Sequence, residues 1–221
     1  MYYTLSLLSV EDIAKIKEAI TKLPFSDGKN SARGKAKDIK NNWQIVEGTK
    51  GSAPMFNGLK VLLLKNEKIA MVAQPKYITN IMVNKYGVGN TYGWHVDHAH
   101  MNSRRTDLSF TIFLNDPSEY DGGELQIRLP TGQIMDVKLD PGKMVLYSTG
   151  LLHRVTPVTK GERLCIVGWM QSFIKDDSDR HMMVRLQTLF SELRGKEGVL
   201  SEEQYQLMNE LQFQLIRRLS N

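Results

Sequence analysis

The chain has 221 residues, 41% hydrophobic and 24% charged, which allows one substantial core and excludes a disordered or fibrous polymer. No apolar run nears the ~20 residues that cross a bilayer, and the single cysteine, Cys165, excludes an intramolecular disulfide. A formal net charge of +5 favours weak attraction to polyanions but is too small to mark a nucleic-acid-binding protein.

Residues 2–8 alternate loosely and read as a strand. Ser9-Val10-Glu11-Asp12 then has the form of a capping box, followed by Ile13, Ile16, Ala19, Ile20 and Leu23 at helical spacing. The opening residues lack the basic and apolar regions of a secretory signal, so the protein is expected in the cytoplasm, where a lone thiol stays reduced. Residues 25–53 read as irregular with one strand near 43–47, and their basic stretch (Lys29, Arg33, Lys35, Lys37, Lys40) reads as a solvated mobile loop in preference to a substrate-contacting surface. Ser52-Ala53-Pro54 opens a second helix, with Pro54 in the first turn where no amide donor is needed.

From residue 77 the pattern changes to sheet. Segments 77–86, 108–114, 123–128, 134–139, 144–147, 153–158 and 163–173 are short and apolar or alternating, and Gly-, Asp- and Pro-rich turns separate them. Many short strands at this spacing predict a sandwich or a barrel-like jelly roll. After Phe173 the pattern returns to helix. Met182, Met183, Leu186, Leu189, Phe190 and Leu193 form one stripe; Tyr205, Met208, Leu211, Leu215 and Leu219 form another, introduced by Ser201-Glu202-Glu203-Gln204. The expected organisation is a domain over 1–175 with a helical extension over 176–221. That extension packs on its own core or pairs two copies into a homodimer.

Four of the five histidines fall in two places: His95, His98 and His100 in one motif, and His153 in Leu151-Leu152-His153-Arg154-Val155. In His95-Val96-Asp97, residues i and i+2 of an extended chain face the same side, so an imidazole and a carboxylate can converge on one metal. His153, from a neighbouring strand, would complete a set of two His and one carboxylate. Such a set leaves open positions and suits non-haem Fe(II) that must also bind a cosubstrate and O2. Arg163 follows His153 by ten residues and opens the apolar stretch Leu164-Cys165-Ile166-Val167-Gly168-Trp169. Buried there, its guanidinium could bind the far end of a dicarboxylate through two parallel hydrogen bonds. The plainer alternative is a surface cation or an ion pair with Glu162.

Six stretches carry a family resemblance: Tyr86-Gly87-Val88-Gly89; Tyr92-Gly93-Trp94-His95-Val96-Asp97; Arg105-Thr106-Asp107-Leu108-Ser109; Asp116-Pro117-Ser118-Glu119-Tyr120-Asp121-Gly122-Gly123-Glu124-Leu125; Leu152-His153-Arg154-Val155-Thr156-Pro157-Val158; and Gly161-Glu162-Arg163. In this order they resemble the prolyl-4-hydroxylase-like branch of the Fe(II)/2-oxoglutarate oxygenases, and in particular the bacterial PKHD-type hydroxylases. The resemblance implies a double-stranded β-helix (jelly-roll, cupin-like) core with C-terminal helices. It implies a dioxygenase using Fe(II), 2-oxoglutarate and O2, with ascorbate as reductant and succinate and CO2 as co-products. His95, Asp97 and His153 would be the iron ligands, Arg163 the anchor of the distal cosubstrate carboxylate, and Tyr86 a neighbour of the cosubstrate. The substrate would be a protein side chain, a prolyl residue first, or a small molecule. A nucleic-acid demethylase is a rival, but that branch carries a second arginine six residues after the anchor, where this chain has Trp169. A non-catalytic metal-binding jelly roll is the other. His98 and His100 are expected as exposed loop residues or substrate contacts. Asp107 is expected to hold Arg105 or to sit near the metal, and Cys165 to be a small buried residue.

Overall fold

The computed structural model describes residues 2–32, 34–196 and 198–220. The chain begins with β1 (Tyr2–Ser6), α1 (Val10–Thr21) and β2 (Ser26–Asp27). Two single 3-10 turns, Gly28–Ser31 and Gly34–Lys37, lead to β3 (Lys40–Asn41) and β4 (Trp43–Val46). Then come α2 (Ala53–Lys65), α3 (Glu67–Ala73), β5 (Pro75–Tyr86) and β6 (Thr91–His95). A small hairpin of β7 (His100–Met101) and β8 (Arg104–Arg105) precedes β9 (Leu108–Phe113). The chain continues through β10 (Tyr120–Gly122), β11 (Leu125–Arg128), β12 (Ile134–Val137) and β13 (Lys143–Ser148). The last strands are β14 (His153–Val155), β15 (Val158–Gly161) and β16 (Arg163–Ser172), before α4 (Asp177–Arg194) and α5 (Glu202–Leu219).

Both expected capping boxes are present. Ser9 accepts from the Asp12 amide while Asp12 accepts from the Ser9 amide, and Ser201 and Gln204 do the same for α5. The expected second helix is broken in two because Asn66 adopts extended backbone and its side chain caps the Ile69 amide, starting α3 anew. Residues 153–158, read as one strand, are also two. β14 stays in one sheet, and beyond Thr156-Pro157 the chain enters β15, which pairs with β10 in a separate ribbon. Gly122, Gly123 and Gly161 take positive φ around that ribbon. A Cβ at Gly122 or Gly161 would fall 2.1 Å from a backbone oxygen, so glycine is required at both.

Two antiparallel sheets face each other in a jelly roll. The larger runs β1-β13-β9-β16-β5-β4-β2 and the smaller β12-β11-β14-β6-β3. Strand alternation sends each central strand's side chains two ways. Ile81 and Val83 of β5, Phe110 and Ile112 of β9, Met144 and Leu146 of β13, and Leu164, Ile166 and Met170 of β16 face outward from the roll. They form one core with Phe56, Leu59, Leu63 and Ile69 of α2 and α3. The opposite faces look inward: Asn80, Met82, Asn84 and Tyr86 of β5, Ser109 and Thr111 of β9, and Arg163, Val167 and Trp169 of β16 line a cavity of about 590 Å³. Covered on both faces, β9 is buried at every position; its alternation of apolar Leu108, Phe110 and Ile112 with polar Ser109 and Thr111 separates the outer core from the cavity. Phe113, Leu125, Ile127, Val137, Val145 and Tyr147 close the roll between the sheets. Val184 of α4 joins the core shared with α2 and α3, and α4 packs against α3.

Candidate active site

His95 and His153 are brought together by strand pairing. β6 and β14 are antiparallel neighbours with His95 directly opposite His153, and their ring centroids lie 4.2 Å apart. Each ring is fixed by its own chain: His95 Nδ1 lies 2.8 Å from the Gly93 carbonyl and His153 Nδ1 2.9 Å from that of Leu151. A carbonyl can only accept, so Nδ1 carries the proton and the Nε2 lone pair of each ring is free. Burial, then the neighbouring His153, holds the His95 pKa down to about 4, keeping that imidazole neutral. Tyr92 stacks on His95 at 3.6 Å between centroids, and Tyr147 meets His153 edge-on at 5.2 Å.

Asp97 comes to the same point by a different device. β6 ends at His95, so strand alternation does not aim this carboxylate. The larger sheet does: Ser109 Oγ donates to Asp97 Oδ2 at 2.9 Å and Trp169 Nε1 donates to it at 2.8 Å. Ser109 and Trp169 are register partners on β9 and β16, and Thr149 Oγ1 is 3.0 Å from Ser109 Oγ. Asp97 Oδ1 lies 3.7 Å from His95 Nε2, and Oδ2 lies 3.6 Å from His153 Nε2. The three ligand atoms all fall within 4.8 Å of one another. Two imidazole Nε2 atoms and one oriented carboxylate could hold a divalent iron and leave positions open for further ligands.

Deeper in the cavity, Arg163 is 1% exposed. It sits opposite Tyr86 in the β5–β16 register, with its guanidinium 5.2 Å from the Tyr86 ring centroid and 5.3 Å from that of Phe113. Its Nη1 donates to Cys165 Sγ at 2.9 Å, and its buried Nε has no partner. The expected alternative, an ion pair with Glu162, is not formed; Glu162 faces Lys85 at 3.7 Å. Among the described residues no carboxylate pairs with Arg163, and a buried cation without a counter-ion calls for an anionic ligand. A dicarboxylate such as 2-oxoglutarate fits that need. Burial pushes the Tyr86 hydroxyl far above its ordinary pKa, so it stays protonated as a hydrogen-bond donor. Cys165 is buried and its thiol is likewise pushed up by burial, as expected of a packed residue rather than a nucleophile.

The remaining candidates are also placed. Asp107 accepts from Arg105 Nε at 3.2 Å and from the Ser172 amide at 2.9 Å, fixing the structural pair rather than a metal neighbour. His98 and His100 are exposed and line the cavity mouth beside Asn102. Arg33 lies outside the described residues. Sequence reasoning missed the roles of Trp169, Ser109 and Tyr92. The first could have been found by counting in twos from Arg163, since 163, 165, 167 and 169 share the inward face. Lys40 corrects the reading of the basic stretch as solvated loop: it is 5% exposed, belongs to β3 and lines the cavity.

A model of the 2OG-Fe(II) oxygenase superfamily matches residues 81–171, the span from inward-facing β5 through β16. A PKHD-type hydroxylase of Prochlorococcus marinus is 37% identical over 217 residues, with 97% of both chains covered. The PKHD-type hydroxylase YbiX of Escherichia coli is 36% identical over 225 residues, covering 100% of this chain and 99% of the relative. In shape, the chain is similar to a Pseudomonas putida prolyl-4-hydroxylase, with a TM-score of 0.56 at 18% identity, 77% of this chain and 92% of that one covered. Full-length likeness at this identity, on a roll whose inward faces gather two imidazoles, a carboxylate and a lone guanidinium, shows that the chain belongs to the PKHD-type hydroxylases, enzymes dependent on Fe(II) and 2-oxoglutarate.

Proposed function

We propose that this hydroxylase uses His95, Asp97 and His153 to hold its iron, Arg163 to hold the distal carboxylate of 2-oxoglutarate and Tyr86 to flank that cosubstrate, and that it hydroxylates a C–H bond of a prolyl-type substrate. The observation that carries the reading is the pairing of an oriented His-Asp-His set with a buried, unpaired guanidinium in one cavity. When bound, Fe(II) with 2-oxoglutarate and O2 supplies oxidative decarboxylation, giving succinate and CO2, and inserts one oxygen atom into the substrate. The chain's own residues orient and protect. Protonated Nδ1 atoms point both Nε2 lone pairs inward, and Ser109 with Trp169 stops Asp97 from rotating. Arg163 fixes the cosubstrate by charge and direction.

Trp169 also bears on the rival nucleic-acid reading. The position that would carry that branch's second arginine instead supplies the indole that holds Asp97, so this chain lacks that feature of the rival branch. Ascorbate as reductant and a cytoplasmic location belong to this proposal as well; no described helix is long and apolar enough to cross a membrane.

The test is stoichiometric. Prolyl peptides incubated with protein, Fe(II), 2-oxoglutarate and ascorbate should gain one oxygen per succinate formed, and Asp97→Ala should abolish both products. Oxygen insertion that persists in Asp97→Ala overturns the site assignment; succinate without any modified prolyl peptide overturns the substrate.

A further inference from the structure

The cavity holds a second buried cation that this account leaves unused. Lys40 pairs with Tyr92 in the β3–β6 register, and its ammonium stands 5.1 Å from the centroid of the ring that stacks on His95. Its Nζ donates to Ser31 Oγ at 2.8 Å and to Gln44 Oε1 at 3.2 Å. Both are neutral oxygens, and among the described residues no carboxylate lies within ion-pairing distance. Ser31 Oγ already donates to Gln44 Oε1 at 3.0 Å, so the tie between these segments does not require a charge. Removing an ammonium from water without an anion is costly, and burial holds the Lys40 pKa down to about 8. Beside it, Asn84 is the register partner of Gln44, lines the same cavity, and has a buried Oδ1 without a hydrogen-bond partner.

We infer that Lys40 and Asn84 form a substrate-recognition subsite that takes a carboxylate on Lys40 and an adjacent N–H on Asn84 Oδ1. The inference rests on assigning Arg163 to the cosubstrate, after which Lys40 is the remaining lysine or arginine among the cavity-lining residues. A carboxylate beside an N–H is the chemistry of an amino acid. It can be the α-carboxylate of a free amino acid or the acidic side chain of a peptide next to the target residue.

The experiment uses the full chain with isotope-labelled lysine, loaded with Zn(II) and 2-oxoglutarate, and follows by NMR the Lys40 Cε signal identified by its loss in Lys40→Met. One arm compares L-proline with L-prolinamide; the other compares the N-acetyl, C-amide dipeptides Pro-Glu and Pro-Gln. In at least one arm the acid should move the Lys40 signal saturably, with its neutral counterpart roughly tenfold or more weaker. Lys40→Met should weaken the acid by a similar factor, measured by calorimetry, while 2-oxoglutarate affinity and the melting temperature show a folded, loaded protein. Equal binding of acid and amide, no response in either arm, or a Lys40 shift fully accounted for by 2-oxoglutarate alone overturns the inference. Failure of wild-type protein to bind 2-oxoglutarate would instead overturn the assignment of Arg163, so the two failures are distinguishable. The acid–amide comparison on wild-type protein needs no variant to fold.

Discussion

Asp97 shows how one side chain is aimed by groups far away in sequence. Its two anchoring donors come from residues 109 and 169, and neither is adjacent to a ligand in the chain. Trp169→Phe keeps the ring and removes one charge-assisted hydrogen bond. It should weaken metal binding by ~10–100-fold, the usual cost of losing an outer partner of a ligand, with the melting curve little changed. An unchanged metal affinity would show that the indole only packs. Lys40 makes a different prediction. Its ammonium is held down by burial, with Asp97 and Asp27 partly opposing that effect, so the folded state releases a proton more readily than the unfolded one. Between about pH 8 and the ordinary lysine value near 10.5 the unfolded chain binds more protons, and stability rises with pH. Denaturant titrations should show wild-type protein gaining up to ~3 kcal/mol on Lys40→Met across that window. A difference that is flat with pH contradicts a buried charged lysine. The ligand residues were legible in sequence because their chemistry is rare and their spacing suggestive. Their supporting partners were not, because Ser109 and Trp169 acquire their role only through a register that pairs distant strands.

At the scale of the strand, alternation separates stability from chemistry within a few residues. On β16, Ile166 faces the helices and Trp169 faces the cavity; on β9, Ile112 and Ser109 divide in the same way. Ile166→Ala should therefore cost ~2–5 kcal/mol in a denaturant titration and leave metal affinity untouched. Ser109→Ala should cost about 1 kcal/mol yet weaken the metal. If Ile166→Ala disturbs metal binding as much as Ser109→Ala does, the two faces are not independent. Long periodic elements such as β5, β9, β16 and the terminal helices were readable from pattern. The short ones were not. β3, β7, β8 and β10 have two or three residues each, too few to show a period, and they exist because a neighbouring strand offers them hydrogen bonds. The division of 153–158 into two strands depends likewise on β10 being nearby, and no local signal beyond Pro157 announces it.

For the molecule as a whole, the roll places the two ligand histidines on one sheet, the donors that orient Asp97 on the other, and the helices outside as a buttress. α4 buries Met183, Val184 and Phe190, while α5 buries Met208 and leaves Leu207 and Leu211 about half exposed. Homodimerisation through α5 is therefore a proposal distinct from the packing of α4 on its own core. Sedimentation should give twice the chain mass for wild type and one chain mass for the Leu207→Ser/Leu211→Ser variant, and a single-chain mass for wild type contradicts it. The central claim is that one cavity binds iron through His95, Asp97 and His153 and 2-oxoglutarate through Arg163. Its most direct test is an anaerobic titration of Fe(II)-loaded protein with 2-oxoglutarate, followed by visible charge-transfer absorption. A saturable band in wild type is expected, lost in Asp97→Ala for want of metal and shifted to at least ~100-fold higher 2-oxoglutarate concentration in Arg163→Met. No band in wild type, or an unshifted one in Arg163→Met, would contradict the account.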